Sequence, residues 1–212
     1  MKDDFLKLTL VTNKSYSSMQ DYLNFISICC QSGLSAVQIR EKHLDAKDIL
    51  EFGKLLHTLL MPLRIPLIVN DSMDLCLTLN AEGLHLGEAD GNVQLARQLL
   101  GPDKIIGLTI NSLAQLEHAN DLPIDYVGLG AIFPTQNKSN IQTIWRLEGL
   151  KKAVKISKHP IIAIGGIDES NAHLVMETGI HGIAAINAFH NSKFPETTTR
   201  NLRKIAYRET QS

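Results

Sequence analysis

Two cationic side chains and one amide alternate with apolar residues in a short run near position 40. The stretch reads Val-Gln-Ile-Arg-Glu-Lys from position 37, and in a β-strand Gln38, Arg40 and Lys42 would share one face. Positive charges that leave water need an anionic partner, because an unpaired buried charge is costly. The pattern therefore predicts an anion-binding site on this face. The structural alternative is an ion-pair network in which the cations meet Glu41 and Asp45.

Two carboxylates each follow an apolar, strand-like run. Asp71 follows the run Pro66–Asn70, and Asp90 lies just beyond Gly83–Gly87. Neighbouring strands lie about 4.8 Å apart, so carboxylates beyond their ends can share one hard cation. Mg²⁺ favours one or two carboxylates together with phosphate oxygens, and this pair beside two cations predicts such a metal site. The alternatives are a helix N-cap for Asp71 and a loop turn for Asp90.

A polar loop after the sixth apolar run carries further candidate phosphate ligands. Its residues Thr135, Asn137 and Lys138 can donate hydrogen bonds to a phosphate group. The alternative is an ordinary solvated loop. Within the run itself, Gly128 and Gly130 lie on one face, and we expect their missing side chains to leave room for a ligand.

Glycines mark a second candidate anion site near position 165. The seventh run ends in Gly165 and Gly166, which allow the backbone to approach a ligand closely. Parallel barrels often bind a phosphate monoester in the loops after strands 7 and 8, through backbone N–H groups. His85 lies inside a strand-like run, and we interpret it as a hydrogen-bonded barrel residue rather than a base.

Eight apolar runs alternate with helical patterns, with no linker between them. We predict strands at Leu6–Thr12, Ala36–Glu41, Pro66–Asn70, Gly83–Gly87, Lys104–Thr109, Asp125–Ile132, Pro160–Gly165 and Gly182–Ala188. We predict helices at Met19–Gln31, Ala46–Leu60, Asp74–Leu79, Asn92–Leu100, Leu113–Ala119, Leu147–Ser157, Asn171–Thr178 and Thr197–Tyr207. This alternation predicts an α/β fold with parallel strands and crossover helices. Eight units predict a single (β/α)8 TIM-barrel domain over residues 1–212, with a doubly wound open sheet as the competing architecture.

The composition is that of an ordinary globular chain. Of 212 residues, 44% are apolar and 20% charged, and the formal net charge is −1, which gives no support for nucleic-acid binding. No apolar stretch reaches the roughly 18 residues of a membrane span, and no export signal is visible. Cys29 and Cys30 lie in an apolar helical pattern. We interpret them as buried, reduced thiols of a cytoplasmic protein, with a reactive or metal-binding pair as the alternative.

Five motifs, in order and one unit apart, together resemble the thiamine-phosphate synthase family. They are Val37–Lys42, Val69–Asp71, Gly83–Gly87 with Asp90, Tyr126–Lys138 and Ala163–Ile167. The resemblance extends to Phe189 and implies a (β/α)8 transferase of thiamine biosynthesis. Such an enzyme joins 4-amino-2-methyl-5-hydroxymethylpyrimidine diphosphate to 4-methyl-5-(2-phosphoethyl)thiazole, giving thiamine phosphate and diphosphate. The resemblance is compatible with a homo-oligomer and does not decide the oligomeric state.

Carried over by position, the resemblance implies two substrate sites and one Mg²⁺ ion per subunit. The pyrimidine diphosphate would bind Gln38, Arg40, Lys42, Asn70, Thr109 and Lys138. Of these, Arg40, Lys42 and Lys138 would be the catalytic residues. The thiazole phosphate would bind Thr135, Asn137, Gly166, Ile186 and Asn187, and Asp71 and Asp90 would hold the metal.

Four positions depart from the pattern of that family. Thr109 replaces a common Ser, Asn137 stands where Thr is usual, and Asn187 stands where Ser is usual. All three keep their hydrogen-bonding capacity, so we expect activity to survive with a changed affinity for the thiazole. Arg146 takes a place where Gly is common. It and Trp145 are predicted to lie in a loop.

The implied chemistry agrees with the residue types. A departing diphosphate needs metal, Arg and Lys to stabilise its charge. The family is thought to ionise the pyrimidine to a carbocation, which the thiazole nitrogen attacks with its own lone pair, so no strong base is required. The alternatives are the related thiazole tautomerase and a non-catalytic phosphate binder. A tautomerase expels no diphosphate and simple binding needs no metal pair, so cations and carboxylates together favour the synthase.

Overall fold

Eight parallel strands close into a barrel in the computed structural model, which describes residues 4–13, 18–88, 90–135 and 143–209. The strands are β1 Leu8–Val11, β2 Ala36–Ile39, β3 Leu67–Asn70, β4 Gly83–Leu86, β5 Ile105–Ile110, β6 Tyr126–Leu129, β7 Ile161–Ile164 and β8 Gly182–Ala185. Each strand pairs with the next in sequence, and β8 pairs with β1. The TIM-barrel prediction is confirmed, and the open sheet is excluded because β1 and β8 are hydrogen-bonded partners.

Nine helices lie outside the barrel in the part of the chain that the structure describes. They are α1 Met19–Gln31, α2 Ala46–Leu60, α3 Met73–Leu79, α4 Val93–Leu100, α5 Leu113–Ala119, α6 Arg146–Ile156, α7 Ala172–Glu177, α8 Asn187–His190 and α9 Pro195–Tyr207. Short 3₁₀ helices span Asp4–Leu6 and Met61–Leu63. The bounds of α1, α2 and α5 agree with the sequence prediction. The helix α8 was not predicted, because its residues continue the apolar run that ends β8.

Polar side chains at the N-termini explain where several helices begin. The carboxylate of Asp45 accepts a hydrogen bond from the backbone N–H of Asp48 at the start of α2. The side chain of Asn92 accepts from two backbone N–H groups in the first turn of α4. Such caps satisfy N–H groups that have no partner within the helix. They fix where each helix starts and therefore how long each loop above the barrel is.

Strand alternation divides the buried side chains into two layers. Val37 and Ile39 pack in the main apolar core between the barrel and its helices. A smaller apolar cluster fills the barrel interior and includes Leu6, Tyr126 and Ile162. Gln38 is buried and borders a small cavity inside the barrel. The predicted division of this strand, with its polar face directed inward, is therefore confirmed.

The predicted loop is correct for Trp145, which precedes α6, and wrong for Arg146. Trp145 is buried in the main core, and Arg146 is the first residue of α6. Arg146 has a φ of +53°, a left-handed conformation in which glycine is the most favourable residue.

The three cysteines are buried free thiols, which confirms the prediction made for Cys29 and Cys30. Burial raises the pKa of Cys29 and of Cys76 to about 11 and that of Cys30 to about 12. These thiols are therefore protonated at neutral pH and poor nucleophiles.

Among the described residues, no helix combines the length and the apolar character needed to cross a membrane.

We expect Gly182→Ala to destabilise the barrel, because a Cβ at position 182 would lie 1.6 Å from the carbonyl oxygen of Leu6. The contact is with backbone at the closure between β8 and β1, so no side-chain rotation relieves it. Overpacking typically costs about 1–3 kcal/mol, and we expect the upper end of that range or more. Thermal and urea unfolding measure the change.

The matched control for this substitution is Gly149→Ala. A Cβ at Gly149 would lie 3.2 Å from the side chain of Trp145 and would meet no backbone atom closer than that, and Ala is about 1 kcal/mol more favourable than Gly inside a helix. We expect this variant to be as stable as the parent or slightly more so. Equal unfolding free energies for the two variants would contradict the close approach at Gly182.

Candidate active site

A cavity of about 1080 Å³ lies at the C-terminal ends of the strands. Strands β2 to β8 all contribute side chains or following loops to its wall. In parallel barrels this is the end where functional residues gather, since every strand points its carboxyl end the same way. The cavity contains a charged side, formed after β2, β3 and β4, and an amide-rich side, formed after β7 and β8.

The cations Arg40 and Lys42 line the charged side of the cavity. Over the described residues, neither forms an ion pair within 4.0 Å. Burial lowers the pKa of Arg40, and the charges of Asp71 and Glu41 oppose that effect. The carboxylate of Asp45 caps α2. The alternative ion-pair network with Glu41 and Asp45 therefore does not occupy these two cations in the described part of the chain. Both remain available to an anionic ligand.

Asp71 and Asp90 interact directly at the entrance of the same cavity. Asp71 has a φ of +64°, and its N–H donates to the carbonyl oxygen of His85 at 2.8 Å. Burial, a hydrogen bond with Asp90 and the charge of Asp90 raise the pKa of Asp71 to about 6, against the opposing charges of Lys42 and Arg40. Two carboxylates forced together in this way are stabilised by any cation that they share.

Neither alternative for these two carboxylates accounts for both of them. Ser72, and not Asp71, caps α3 by accepting from the N–H of Leu75. Asp90 does take part in a turn, since its Oδ2 accepts from the N–H of Gly87 at 2.8 Å. Its side chain nevertheless faces Asp71, which a turn alone does not require.

The carboxylate pair suits a hard divalent cation that has further ligands from outside the protein. Carboxylate oxygens are the donors that Mg²⁺ prefers, and it commonly keeps several waters or phosphate oxygens. Within the described ranges, no group of three or more His, Cys, Asp or Glu side chains has metal-binding geometry. The residues present therefore fit an ion whose shell a bound phosphate group completes.

Two glycines with positive φ shape the amide-rich side. Gly165 and Gly166 have φ values of +100° and +70°. A Cβ on Gly166 would lie 2.9 Å from the carbonyl oxygens of Phe133 and Pro134, so the loops after β6 and β7 touch through backbone. Asn171 donates to the carbonyl oxygen of Gly166 at 2.9 Å and holds this turn.

The start of α8 forms the other wall of the amide-rich side. Ile186 precedes α8, and Asn187 is its first residue. His190 donates through Nδ1 to the carbonyl oxygen of Ile186 at 2.8 Å, so its Nε2 accepts from the hydroxyl of Tyr22 at 2.9 Å. Burial lowers the pKa of His190, which keeps the ring neutral. A neutral hydrogen-bond chain thus fixes this loop against α1.

Most of the sequence-predicted site residues meet in this one cavity. Those that line it are Arg40, Lys42, Asp71, Asp90, Thr109, Thr135, Gly166, Ile186 and Asn187. Gln38 lies deeper and borders the small interior cavity, which Thr109 also lines. Asn70 ends β3 beside Asp71 but lines neither cavity. Asn137 and Lys138 lie outside the described residues, so their roles stay predictions.

The expectation that Gly128 leaves room for a ligand is wrong. A Cβ there would lie 2.9 Å from Cε1 of His85, so the imidazole occupies that space. The interpretation of His85 as a hydrogen-bonded barrel residue is confirmed, since its Nδ1 meets the Tyr126 hydroxyl and its Nε2 meets Thr109. Sequence reasoning missed Tyr126. A glycine on the adjoining strand, Gly107, is its register partner and was the available signal.

Comparisons with known proteins point to one family. Residues 8–189 match the family described as thiamine monophosphate synthase. Thiamine-phosphate synthases of Chlamydia abortus and Chlamydia caviae are 52% and 53% identical over 208 residues, or 98% of this chain and 98% of each relative. The solved structure of a thiamine phosphate pyrophosphorylase from Pyrococcus furiosus is similar with a TM-score of 0.86 and 31% identity, covering 98% of both chains.

We expect Asp71→Asn to stabilise the metal-free protein above pH 6 and to change little near pH 4. The pKa of Asp71 is about 6 in the folded chain and about 3.9 when unfolded. The folded state therefore binds more protons between these values, and stability falls as the pH rises through them. Because solvent screens this half-buried group, we expect a gain of roughly 1 kcal/mol, which is about 2–4 °C in Tm.

Thermal unfolding in EDTA at about pH 4 and pH 8 measures this effect. Asp103→Asn is the matched control, since Asp103 is exposed in the turn before β5. Its Tm should follow that of the parent at both pH values. An Asp71→Asn variant no more stable than the parent at pH 8 would contradict the strained carboxylate pair.

Proposed function

The chain belongs to the thiamine monophosphate synthase family, as its five motifs predicted, and we propose that it joins a pyrimidine diphosphate to a thiazole phosphate. The substrates are 4-amino-2-methyl-5-hydroxymethylpyrimidine diphosphate and 4-methyl-5-(2-phosphoethyl)thiazole. The products are thiamine phosphate and diphosphate. Members of this family are transferases, and this chain is an enzyme of that class. The observation that carries the proposal is one cavity that joins a carboxylate pair to two cations without an ion-pair partner among the described residues, opposite the loops after β7 and β8.

Arg40 and Lys42 bind the diphosphate end of the pyrimidine substrate in this proposal. Both cations line the cavity without a protein ion-pair partner in the described ranges. Positive charge placed in advance where negative charge develops lowers the barrier without reorganisation during the reaction. Arg40 is also held from its backbone, since its N–H donates to the hydroxyl of the buried Thr12 at 2.9 Å.

Asp71 and Asp90 hold one Mg²⁺ ion in this proposal. The raised pKa of Asp71 beside Asp90 supports it, because a shared cation removes the cost of two adjacent carboxylates. When bound, the ion would neutralise charge on the diphosphate as a Lewis acid. The positive charges of the neighbouring Lys42 and Arg40 partly balance the negative charge of the carboxylate pair. The site therefore favours a metal ion that arrives with an anionic substrate.

The thiazole phosphate occupies the amide-rich side. Gly166 and Asn187 both line this side of the cavity, and Asn187 is the first residue of α8. Backbone N–H groups suit a phosphate monoester, because they donate without adding a charge that competes for the diphosphate. The separation of a cationic side from an amide side supports one site for each phosphate-bearing substrate.

The reaction needs charge stabilisation and orientation more than acid–base catalysis. The bond between the pyrimidine methylene carbon and the diphosphate oxygen breaks, and its electron pair leaves with diphosphate. The lone pair of the thiazole nitrogen then forms the new carbon–nitrogen bond. That nitrogen carries no proton to be removed, so no general base is required. Holding both partners in line accounts for much of the rate enhancement.

Two other functions fit this cavity less well. A thiazole tautomerase on the same barrel moves a proton and expels no diphosphate, so Arg40, Lys42 and the carboxylate pair would have no task. A non-catalytic phosphate binder would need the amide side alone. The proposed cytoplasmic location is supported by three cysteines that stay free thiols.

We expect purified protein, both precursors and Mg²⁺ to yield thiamine phosphate and diphosphate in equal amounts. Chromatography of thiamine phosphate and an enzymatic assay of diphosphate measure the two products. Omission of either precursor, or EDTA in excess of the metal, should abolish both. Absence of product across several divalent metals and pH values would overturn the proposal.

We expect Asp71→Ala to lower kcat by about 10²-fold or more. The variant loses a ligand of the proposed Mg²⁺ ion, and losing one group that stabilises charge in the transition state costs about that much. The fold should be retained, and Mg²⁺ should raise Tm for the parent by linkage but not for this variant. Asp74→Ala is the matched control, since Asp74 is exposed in the first turn of α3. An Asp71→Ala enzyme with parental kcat and parental Mg²⁺ stabilisation would contradict the metal assignment.

A further inference from the structure

Three side chains from adjacent strands form a hydrogen-bonded line beneath the cavity. The hydroxyl of Tyr126 on β6 lies 2.9 Å from Nδ1 of His85 on β4, and Nε2 of His85 lies 2.8 Å from Oγ1 of Thr109 on β5. Tyr126 is buried, with 5% of its surface exposed. Thr109 lines the active-site cavity. The line therefore runs from the barrel interior to the wall that faces the substrates.

Glycines on neighbouring strands provide the space for this line. A Cβ at Gly107 would lie 2.1 Å from Cζ of Tyr126, and a Cβ at Gly128 would lie 2.9 Å from Cε1 of His85. Gly107 is the register partner of Tyr126, and Gly128 is that of Thr109. Glycine weakens a strand because it loses more conformational entropy and has no side chain to pack. The two glycines therefore lower the local stability of β5 and β6.

The direction of each hydrogen bond follows from the tyrosine. Burial raises the pKa of Tyr126 far above its usual range, so the phenol keeps its proton. Among the described residues, its hydroxyl has one hydrogen-bond partner, Nδ1 of His85. The phenol must donate there, because a buried O–H without an acceptor is costly. Nδ1 thus accepts, and the neutral imidazole carries its hydrogen on Nε2.

The imidazole in turn determines what the threonine offers to a ligand. Nε2–H of His85 donates to Oγ1 of Thr109, so the hydroxyl hydrogen of Thr109 cannot point back at the ring. Thr109 forms no other side-chain hydrogen bond in the described part of the chain. Its hydrogen is left to point into the cavity, and the site presents a hydrogen-bond donor at this point.

We propose that Tyr126 and His85 are positioning residues that hold the Thr109 hydroxyl as a donor to an acceptor nitrogen on the ring of the pyrimidine substrate. The inference rests on the proposed function for the identity of the substrate. A free threonine hydroxyl can donate or accept, and an aminopyrimidine displays both ring nitrogens and an amino group. Fixing the hydroxyl as a donor selects the ring-nitrogen edge and so orients the reacting methylene carbon.

A double-mutant cycle between Tyr126→Phe and Thr109→Val tests the relay. We expect each substitution to raise KM for the pyrimidine diphosphate about 5- to 10-fold, the effect of losing one hydrogen bond. The double variant should be no worse than Thr109→Val alone, because Tyr126 acts only through Thr109. KM for the thiazole phosphate should stay within about twofold of the parent. Thr109→Ser keeps the hydroxyl and should recover most of the KM increase that Thr109→Val causes.

Two results would overturn the relay in an active enzyme. One is multiplication of the two single-variant effects in the double variant, which means that Tyr126 acts independently of Thr109. The other is an equal rise of KM for both substrates, which means that the substitutions disturb the site generally. Thermal unfolding of Tyr126→Phe shows whether the fold persists, and His85→Gln gives a second break in the line if it does not.

Nitrogen-15 NMR of the His85 ring tests the relay without any turnover. The signal is assigned by its loss in His85→Gln. We expect Nδ1 to be the unprotonated acceptor and Nε2 to carry the hydrogen in the parent at neutral pH, with a shifted Nδ1 signal in Tyr126→Phe. An Nδ1–H tautomer or a doubly protonated ring would overturn the relay. Failure to form thiamine phosphate, with the expected tautomer present, would reject the proposed function and leave the hydrogen-bond direction standing.

Discussion

The adjacent carboxyl groups of Asp71 and Asp90 are the interaction on which the rest of the site depends. Their proximity raises the pKa of Asp71 to about 6, so the ionised pair is unfavourable until a cation joins it. Arg40 and Lys42, which follow the neighbouring strand β2, offset part of this cost. Neither forms a close ion pair in the part of the chain described. Charges of both signs thus face one cavity without satisfying each other, which is a state that ligands relieve.

Barrel closure is the constraint that makes such an arrangement possible. All eight strands are parallel and continuous in order, so their carboxyl ends meet around one opening. The helices and the interior cluster supply the stability, as the buried apolar side chains lie in those two layers. The loops above the strands are then free to hold strained groups, including the positive φ of Asp71.

Much of this could be predicted from the sequence because its signals are local. Period-two alternation predicted the inward face of Gln38, Arg40 and Lys42, and helical periodicity predicted the bounds of α1, α2 and α5. The features that were missed depend on contacts between distant segments. The burial of Trp145 and the filling of the Gly128 space by His85 follow from packing across strands. The helix α8 was hidden because its residues are as apolar as the strand before it.

The polar groups below the charged rim explain why the site can be precise without a strong base. Tyr126, His85 and Thr109 are neutral and connected in line. The cost of burying this line is offset because the hydrogens of Tyr126 and His85 each have an acceptor within it. Under the proposed function, a negatively charged group at this depth would compete with Asp71 for Arg40 and Lys42 and with the substrate for the proposed Mg²⁺ ion. Neutral donors of fixed direction avoid that competition. In the proposed function the cavity therefore separates its tasks by depth, with charge at the rim for the diphosphate and a hydrogen-bond donor of fixed direction below it for the pyrimidine ring.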